Sequence, residues 1–216
     1  MPTDIAIRRS RPVPISSGRR ALDVGLASIG LVCSAPLWAI IAVAVKLQDG
    51  GPVFFRQDRV GEGGRVFRAL KFRSMRPSAS REALRAAEAH DPRVTSVGRL
   101  LRATAMDELP QLWNILRGDM SFVGPRPLAP DEIEQGAGGT RVAIEEIPGF
   151  RERCRVRPGL TGVAQIFAPR DVPRRHKFRY DRLYVRNASF WLNVRLIILS
   201  FWITFLGTWE SRGRKF

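Results

Sequence analysis

Two adjacent carboxylates, Asp107 and Glu108, open a segment that runs from Met106 to Pro127 and closes on the turn Gly124-Pro125-Arg126-Pro127. Between them, the spacing of Leu109, Leu112, Trp113 and Leu116 predicts one short amphipathic helix with those four on its buried face, stopped by Gly118. Pro110 is tolerated in a first turn, where its missing N–H removes no bond, so Asp107 and Glu108 belong at or just before the helix N-terminus. The helix dipole favours negative charge there, which predicts that both carboxylates stay ionised. Neighbouring positions on a helix point about 100° apart, so the pair can divide the work: one attacks an electrophile while the other holds a cation. The plainer reading of the same two residues is an N-cap followed by a dipole-complementing Glu.

Basic residues lie near the pair in sequence, and a solvent-exposed face is the plainer reading of each. Arg102 stands five residues before Asp107, where it can neutralise a substrate phosphate, and Arg126 sits in the closing turn. Lys71 and Arg73 lie in the strand-like run Lys71-Phe72-Arg73-Ser74-Met75, whose simplest reading is a solvated basic face. A further cluster comprises Arg170, Arg174, Arg175, His176, Lys177 and Arg179. Over the 216 residues, 36 Lys and Arg against 20 Asp and Glu give a formal charge of +16, and only four of the cations are Lys (46, 71, 177 and 215). Arginine grips phosphate with a planar two-pronged fork, so this balance predicts an anionic partner: nucleic acid, an acidic lipid surface or a phosphorylated substrate. Cys33 and Cys154 make neither a disulfide framework nor a metal spacing, which fits a reducing compartment.

The positioning elements follow from composition. Residues 1–20 read as a mobile basic arm, and 21–48 contain an uncharged run from Val24 to Val45 that is long enough to cross a bilayer. Ser34-Ala35-Pro36 interrupts this run. A signal peptide, a plain transmembrane helix and a re-entrant helix-break-helix all remain open for it; in the last, Ser34 bonds the carbonyls that Pro36 frees. Val53 to Arg59 and Val66 to Met75 read as a β-hairpin across Gly61-Glu62-Gly63-Gly64, and residues 79–89 as a surface helix. Phe190 to Trp209, apolar but carrying Asn193, Arg195 and three Trp, suits a helix in the headgroup region, a second span or a core helix.

The ordered set of short motifs resembles the bacterial sugar transferase family, the monotopic polyprenyl-phosphate phosphoglycosyl transferases, in their short form. The set comprises Arg19-Arg20…Asp23 before a Pro-broken apolar helix, Arg56-Gln57…Arg59…Gly61, Lys71-Phe72-Arg73-Ser74-Met75 and Asp107-Glu108-Leu109-Pro110-Gln111-Leu112…Asn114. Gly118-Asp119-Met120-Ser121-Phe122-Val123-Gly124-Pro125-Arg126-Pro127 and Pro158-Gly159-Leu160-Thr161-Gly162…Ala164-Gln165 complete it. The resemblance covers about residues 19–210. It implies an α+β, mostly helical fold: a re-entrant membrane helix (21–48), a small β-hairpin, and a cytoplasmic catalytic domain with interfacial helices (49–210), followed by a basic tail (211–216).

By the same resemblance, Asp107 is a nucleophile and Glu108 helps to hold Mg²⁺. Arg102 and Arg126 bind phosphate, Arg170 takes a further phosphate-binding place, Lys71 and Arg73 support the anion site, and Ser34 and Pro36 form the membrane break. The implied reaction moves a phosphosugar from a UDP-sugar to polyprenyl phosphate and releases UMP, at the cytoplasmic face of the bacterial inner membrane. Anionic lipids are implied partners, nucleic acid is not, and a homodimer stays open. A non-enzymatic basic membrane protein that binds nucleic acid or acidic lipid shares the charge, but it has no use for a carboxylate pair beside arginines.

Overall fold

The computed structural model describes residues 10–14, 16–76, 91–135, 141–169 and 172–205. The expected surface helix at 79–89 and the tail at 211–216 lie outside them. The fold is mostly helical with three two-stranded sheets, and one long apolar helix lies near its N-terminus. That helix, α1, runs Ser17–Asp49 and ends on Gly50, whose left-handed φ of 70° closes it. Ser16 caps its start by accepting from the backbone N–H of Arg19. Arg19 and Arg20 therefore belong to the helix and not to a mobile arm. Arg20 donates to the carbonyls of Ile115 and Leu116 at 2.7 and 2.6 Å. Asp23 accepts from Ser121 Oγ and Phe122 N, each at 3.0 Å.

The expected break in this helix takes a milder form. Residues 17–49 remain one helix through Pro36. Ser34 Oγ donates to the carbonyl of Gly30 at 2.6 Å, four residues back, and so does not take the carbonyl of Val32 that the proline leaves without its helical donor. One face of α1 packs on the rest of the chain along its length. Ala27 and Leu112 share one core cluster, while Ile41 and Val45 share another with Phe72 and Leu101. The opposite face exposes Ile29, Val32, Ile40, Val43 and Leu47.

Strands β1 (Phe54–Val60) and β2 (Val66–Phe72) form the expected antiparallel hairpin, with Phe55 opposite Lys71 and Phe54 opposite Phe72. Successive side chains on a strand alternate faces. Phe72 is buried against Trp38 at 5.3 Å between rings, which sends Lys71 to the other side. After β2 come α2 (Ser96–Ala103), a short 3₁₀ turn (Met106–Glu108) and α3 (Gln111–Arg117). Gly118, with φ 95°, stops α3 as its position demanded.

Asn114 laces α3 to the hairpin. Its Oδ1 accepts from Leu70 N at 2.9 Å and its Nδ2 donates to the carbonyl of Arg68 at 2.8 Å. Because α3 packs on both α1 and β2, its buried residues are Gln111, Leu112, Asn114 and Ile115. Trp113, expected inside, is 47% exposed. A helix held from two sides buries a wider arc than one apolar stripe, and the remaining position turns outward.

Strand β3 (Ser121–Val123) pairs in parallel with β6 (Gly159–Thr161), and β4 (Ile133–Gln135) pairs with β5 (Arg141–Ala143). Helices α4 (Phe150–Arg153), α5 (Val163–Phe167), α6 (Arg174–Asn187) and α7 (Phe190–Phe205) complete the chain. In α7, Asn193, Leu196, Ile197 and Ile203 are buried, while Trp191, Ile198, Phe201 and Trp202 face outward. The two faces suit a helix packed on the domain along one side, with its apolar outer side free to rest on lipid.

Candidate active site

The carboxylate pair sits on a tight 3₁₀ turn wedged between α2 and α3. Ala105 enters the turn with φ 56°, the one non-glycine residue in the left-handed region among those described. Such a conformation costs a non-glycine residue about 1–3 kcal/mol and persists where packing over-determines it. Pro110 sits at the start of α3, and neither carboxylate caps a helix end. The N-cap reading of Asp107 is thereby set aside.

Lys71 reaches across from β2. Its Nζ lies 2.5 Å from Glu108 Oε1 and 3.8 Å from Asp107 Oδ2. Arg126, on the turn after β3, brings Nη2 to 3.9 Å from Glu108 Oε1 and keeps 57% of its side chain exposed. Arg102 on α2 donates from Nε to Ser74 Oγ at 3.1 Å and adds positive potential at Asp107.

The two acids are held in opposite senses. Burial pushes the Asp107 carboxyl above its ordinary value; Lys71 counters this, the neighbouring Glu108 charge adds to it, and Arg102 and Arg126 oppose it. Burial acts on Glu108 too, but Lys71, Arg126 and Arg59 together hold it below its ordinary value. The expectation that both carboxylates stay ionised at a helix start thus divides in two: Glu108 is held as a firm anion, whereas burial opposes the charge on Asp107, which rests on nearby cations.

Two arginines without a sequence-based role join this cluster. Arg59 donates to the carbonyl of Pro127 at 3.1 Å, and burial, then Arg126, push its pKa down to about 10, still well above neutrality. Arg174 pairs with Glu132 and is likewise lowered by burial, then by Arg126 and Arg59. Arg59 and Arg174 each feel the positive charge of Arg126, so the three guanidinium groups lie within electrostatic reach of one another. Arg59 lies within a quoted motif, and Arg174 within the basic cluster after Gln165, but spacing alone gave neither a task.

Other expected site residues sit elsewhere. Arg73 is buried and pairs with Asp49 at the end of α1, so the structure does not bring it to the carboxylates. Strand alternation placed it beside Lys71, but the chain leaves β2 at Phe72 and Arg73 turns toward Gly51. Ser34 and Pro36 lie within α1, and Arg170 falls outside the described residues. A cavity of about 690 Å³ lined by Pro12, Arg20, Val24 and Arg157 opens at the C-terminal end of α3, away from Asp107. The side chains around the carboxylates are basic.

No group of three acidic, His or Cys ligands stands together among the described residues. Mg²⁺, however, is commonly held by one or two carboxylates with substrate phosphates and water completing its shell. Lys71 and Arg126 both approach Glu108 at Oε1, and a carboxylate offers two oxygens, so the fit is to a metal that arrives with a phosphorylated substrate. Chemically, a buried carboxylate flanked by Lys71, Arg102, Arg126 and Arg59 is equipped to approach a phosphorus centre whose oxygens those cations neutralise.

The chain belongs to the bacterial sugar transferase family, whose profile matches residues 15–207. It is 40% identical over 182 residues to a UDP-N-acetylgalactosamine-undecaprenyl-phosphate N-acetylgalactosaminephosphotransferase of Aeromonas hydrophila, covering 83% of this chain and 41% of that protein. A UDP-glucose:undecaprenyl-phosphate glucose-1-phosphate transferase of Caulobacter vibrioides is 38% identical over 90% of this chain and 73% of its own length. The exopolysaccharide production protein ExoY of Rhizobium meliloti is 39% identical over 83% of this chain and 81% of its own. The chain spans about two fifths of the length of several larger relatives and most of the shorter ones.

Proposed function

We propose that this protein is a phosphoglycosyl transferase that passes a phosphosugar from a UDP-sugar to undecaprenyl phosphate, the first membrane step of glycan assembly. The observation that carries the reading is Asp107, buried on the turn before α3 and flanked by Lys71, Arg102 and Arg126. In the first half-reaction an Asp107 oxygen attacks the sugar-side phosphorus. The bond from that phosphorus to the bridging oxygen breaks, and UMP leaves with the electron pair. A phosphate oxygen of the lipid then attacks the aspartyl phosphorus and releases the Asp107 carboxylate. Two steps bring two polyanions to the site in turn rather than together. Lys71, Arg126 and Arg59 hold donor phosphate oxygens, and Arg102 lowers the cost of the charge on Asp107. Mg²⁺ held by Glu108 would supply neutralisation of the diphosphate.

Anchoring on the cytoplasmic face of the bacterial inner membrane, as a monotopic protein, is part of this reading. Its support is geometric. Thirty-three helical residues extend about 50 Å, yet Arg19 to Asp23 at one end and Gln48 and Asp49 at the other bond the same folded body. A helix crossing a bilayer carries its ends to opposite sides. The outward apolar residues of α1 and α7 suit lipid, and the arginine excess suits anionic headgroups.

The names of the relatives include both glucose and N-acetylgalactosamine, so the sugar is chosen by assay. Nanodisc-held protein is given undecaprenyl phosphate, Mg²⁺ and a panel of UDP-sugars, with UMP release as readout and Asp107→Asn alongside. Release with one sugar, lost in Asp107→Asn, is the expected result, with a mass increase of one phosphosugar on the wild type when lipid is withheld. Release that survives Asp107→Asn refutes the assignment.

A further inference from the structure

Five consecutive main-chain carbonyls, Val123 to Pro127, are each engaged. Val123 accepts from Arg19 Nη2 at 2.7 Å and Tyr184 OH at 3.0 Å. Gly124 accepts from Gln165 Nε2 at 3.2 Å, and Pro125 from the backbone N–H of Gly159 at 3.0 Å. Arg126 accepts from Arg153 Nη2, and Pro127 from Arg59 Nη1 at 3.1 Å. Val123, Gly124 and Pro125 are buried, where carbonyls are ordinarily satisfied, but the run continues to the exposed Arg126 and the half-buried Pro127. The donors come from α1, α6, α5, β6, α4 and β1, so six elements fix the segment that leads out of β3 to Arg126.

The donor to Arg126 is itself unusual. Arg153 and Asp181 form an ion pair with side chains 4% and 5% exposed, Nε to Oδ2 at 2.9 Å. The guanidinium also lies 4.8 Å from the centre of the Phe178 ring. Buried ion pairs add little net stability, because desolvation cancels most of the attraction. This one does something geometric: Asp181 and Phe178 leave the Arg153 fork a single direction, and along it lies the carbonyl of Arg126. The Arg126 side chain, by contrast, is mostly exposed and touches Glu108 only at 3.9 Å. Its place is set from behind, through its backbone.

We propose that Arg153, aimed by Asp181, is a positioning residue that holds Arg126 in place over Glu108 to receive a phosphate of the nucleotide sugar. The inference rests on the phosphate-binding role of Arg126 given above. It also changes the account of the charge: Arg19 and Arg153 spend guanidinium donors on this segment, so part of the arginine excess builds the anion site without itself facing the substrate's anion.

The test is a double-mutant cycle in nanodiscs, read by UMP release over a range of UDP-sugar concentrations. Arg153→Lys keeps the charge opposite Asp181 but puts one nitrogen in place of the planar fork whose Nε and Nη2 make the two bonds. It is expected to lower kcat/KM by about tenfold, the scale of a sub-ångström misplacement. In an Arg126→Ala background, the same change is expected to cost less than about twofold, because the side chain it positions is gone. Effects that multiply independently overturn the proposal.

Asp181→Asn, of nearly equal volume, runs the same cycle should Arg153→Lys fold poorly. Hydrogen exchange of the segment 124–129 needs no turnover. Faster exchange there in both variants, with the β1–β2 hairpin unchanged, is expected, and unchanged exchange at 124–129 overturns the proposal. Failure of wild-type turnover would instead count against the functional reading, and the exchange experiment would still decide this one.

Discussion

Gly98 lies in the first turn of α2 and touches neither carboxylate, yet its replacement by Ala is expected to damage the site. A Cβ at Gly98 would meet the carbonyl oxygen of Ser74 at 1.9 Å and its carbon at 2.6 Å. Both atoms are backbone and cannot rotate away. Its φ lies outside the left-handed region, so the requirement is for space alone. Ser74 is held in turn, its carbonyl by Thr95 N at 3.1 Å and its hydroxyl by Arg102 Nε at 3.1 Å. Helix α2 must therefore withdraw by about 1 Å before the contact reaches even 3.0 Å, and Arg102, one turn further along, moves with it.

A displacement of about 1 Å near reacting groups can cost about a hundredfold in rate, and overpacking of this kind about 1–3 kcal/mol in stability. The assay is steady-state UMP release by Gly98→Ala, with its unfolding midpoint measured in parallel. Gly25→Ala serves as control, since a Cβ there meets nothing within 4 Å. A folded Gly98→Ala protein with activity within twofold of wild type would refute the claim that the spacing of α2 from Ser74 places Arg102.

Three further outcomes follow from the same structure. Lys71→Met, which withdraws the cation shared by Asp107 and Glu108, is expected to lower kcat/KM by about tenfold or more with the fold retained, as checked by circular dichroism. Burial pushes the Cys154 thiol up to about 11 from 9.0, so the folded state keeps a proton that the unfolded chain releases. Stability is then fully present well below pH 9 and declines by about 2–3 kcal/mol as pH rises through 11; Cys154→Ala should lack this loss, as measured by urea unfolding across that range. Pro36→Ala restores the missing helical donor for the Val32 carbonyl and should leave turnover intact if α1 is held chiefly at its ends; a loss of turnover in folded protein would show that the proline itself shapes the site.

Much of the site's scaffold can be read from residue order. Pro110 and Gly118 bracket α3, and the carboxylates fall where Pro110 requires, because proline and glycine act locally. The β1–β2 hairpin is equally local: alternating apolar residues on either side of a glycine-rich turn. What escapes such reading is the partner each arginine chooses. Arg73, two residues from Lys71, pairs with Asp49 of α1, while Arg59 and Arg174 enter the cationic cluster from opposite ends of the chain. A guanidinium on a long stem is placed by what lies within its reach, which only the tertiary fold specifies. The parallel pairing of Ser121 with Gly159 is hidden for another reason: three-residue strands carry no periodicity, and Pro158 and Gly162 read as turn signals.

Helix α1 behaves less like a tether than like a beam built in at both ends. Arg20 and Asp23 bolt one end to α3 and β3; at the other, Asp49 meets Arg73 and Gln48 accepts from Val97 N at 3.0 Å. Ile41 and Val45 from the same helix make half of a buried cluster whose other members are Phe72 and Leu101. A version cut free of α1 for work in aqueous buffer would lose the inner wall of its own interior along with its attachment to lipid. Exchange of α1 for an unrelated membrane helix would meet the same obstacle, because its inward face is cut to fit this one domain. Solubilisation of this protein therefore calls for changes to the outward residues, such as Val32, Val43 and Leu47, with the helix itself left in place.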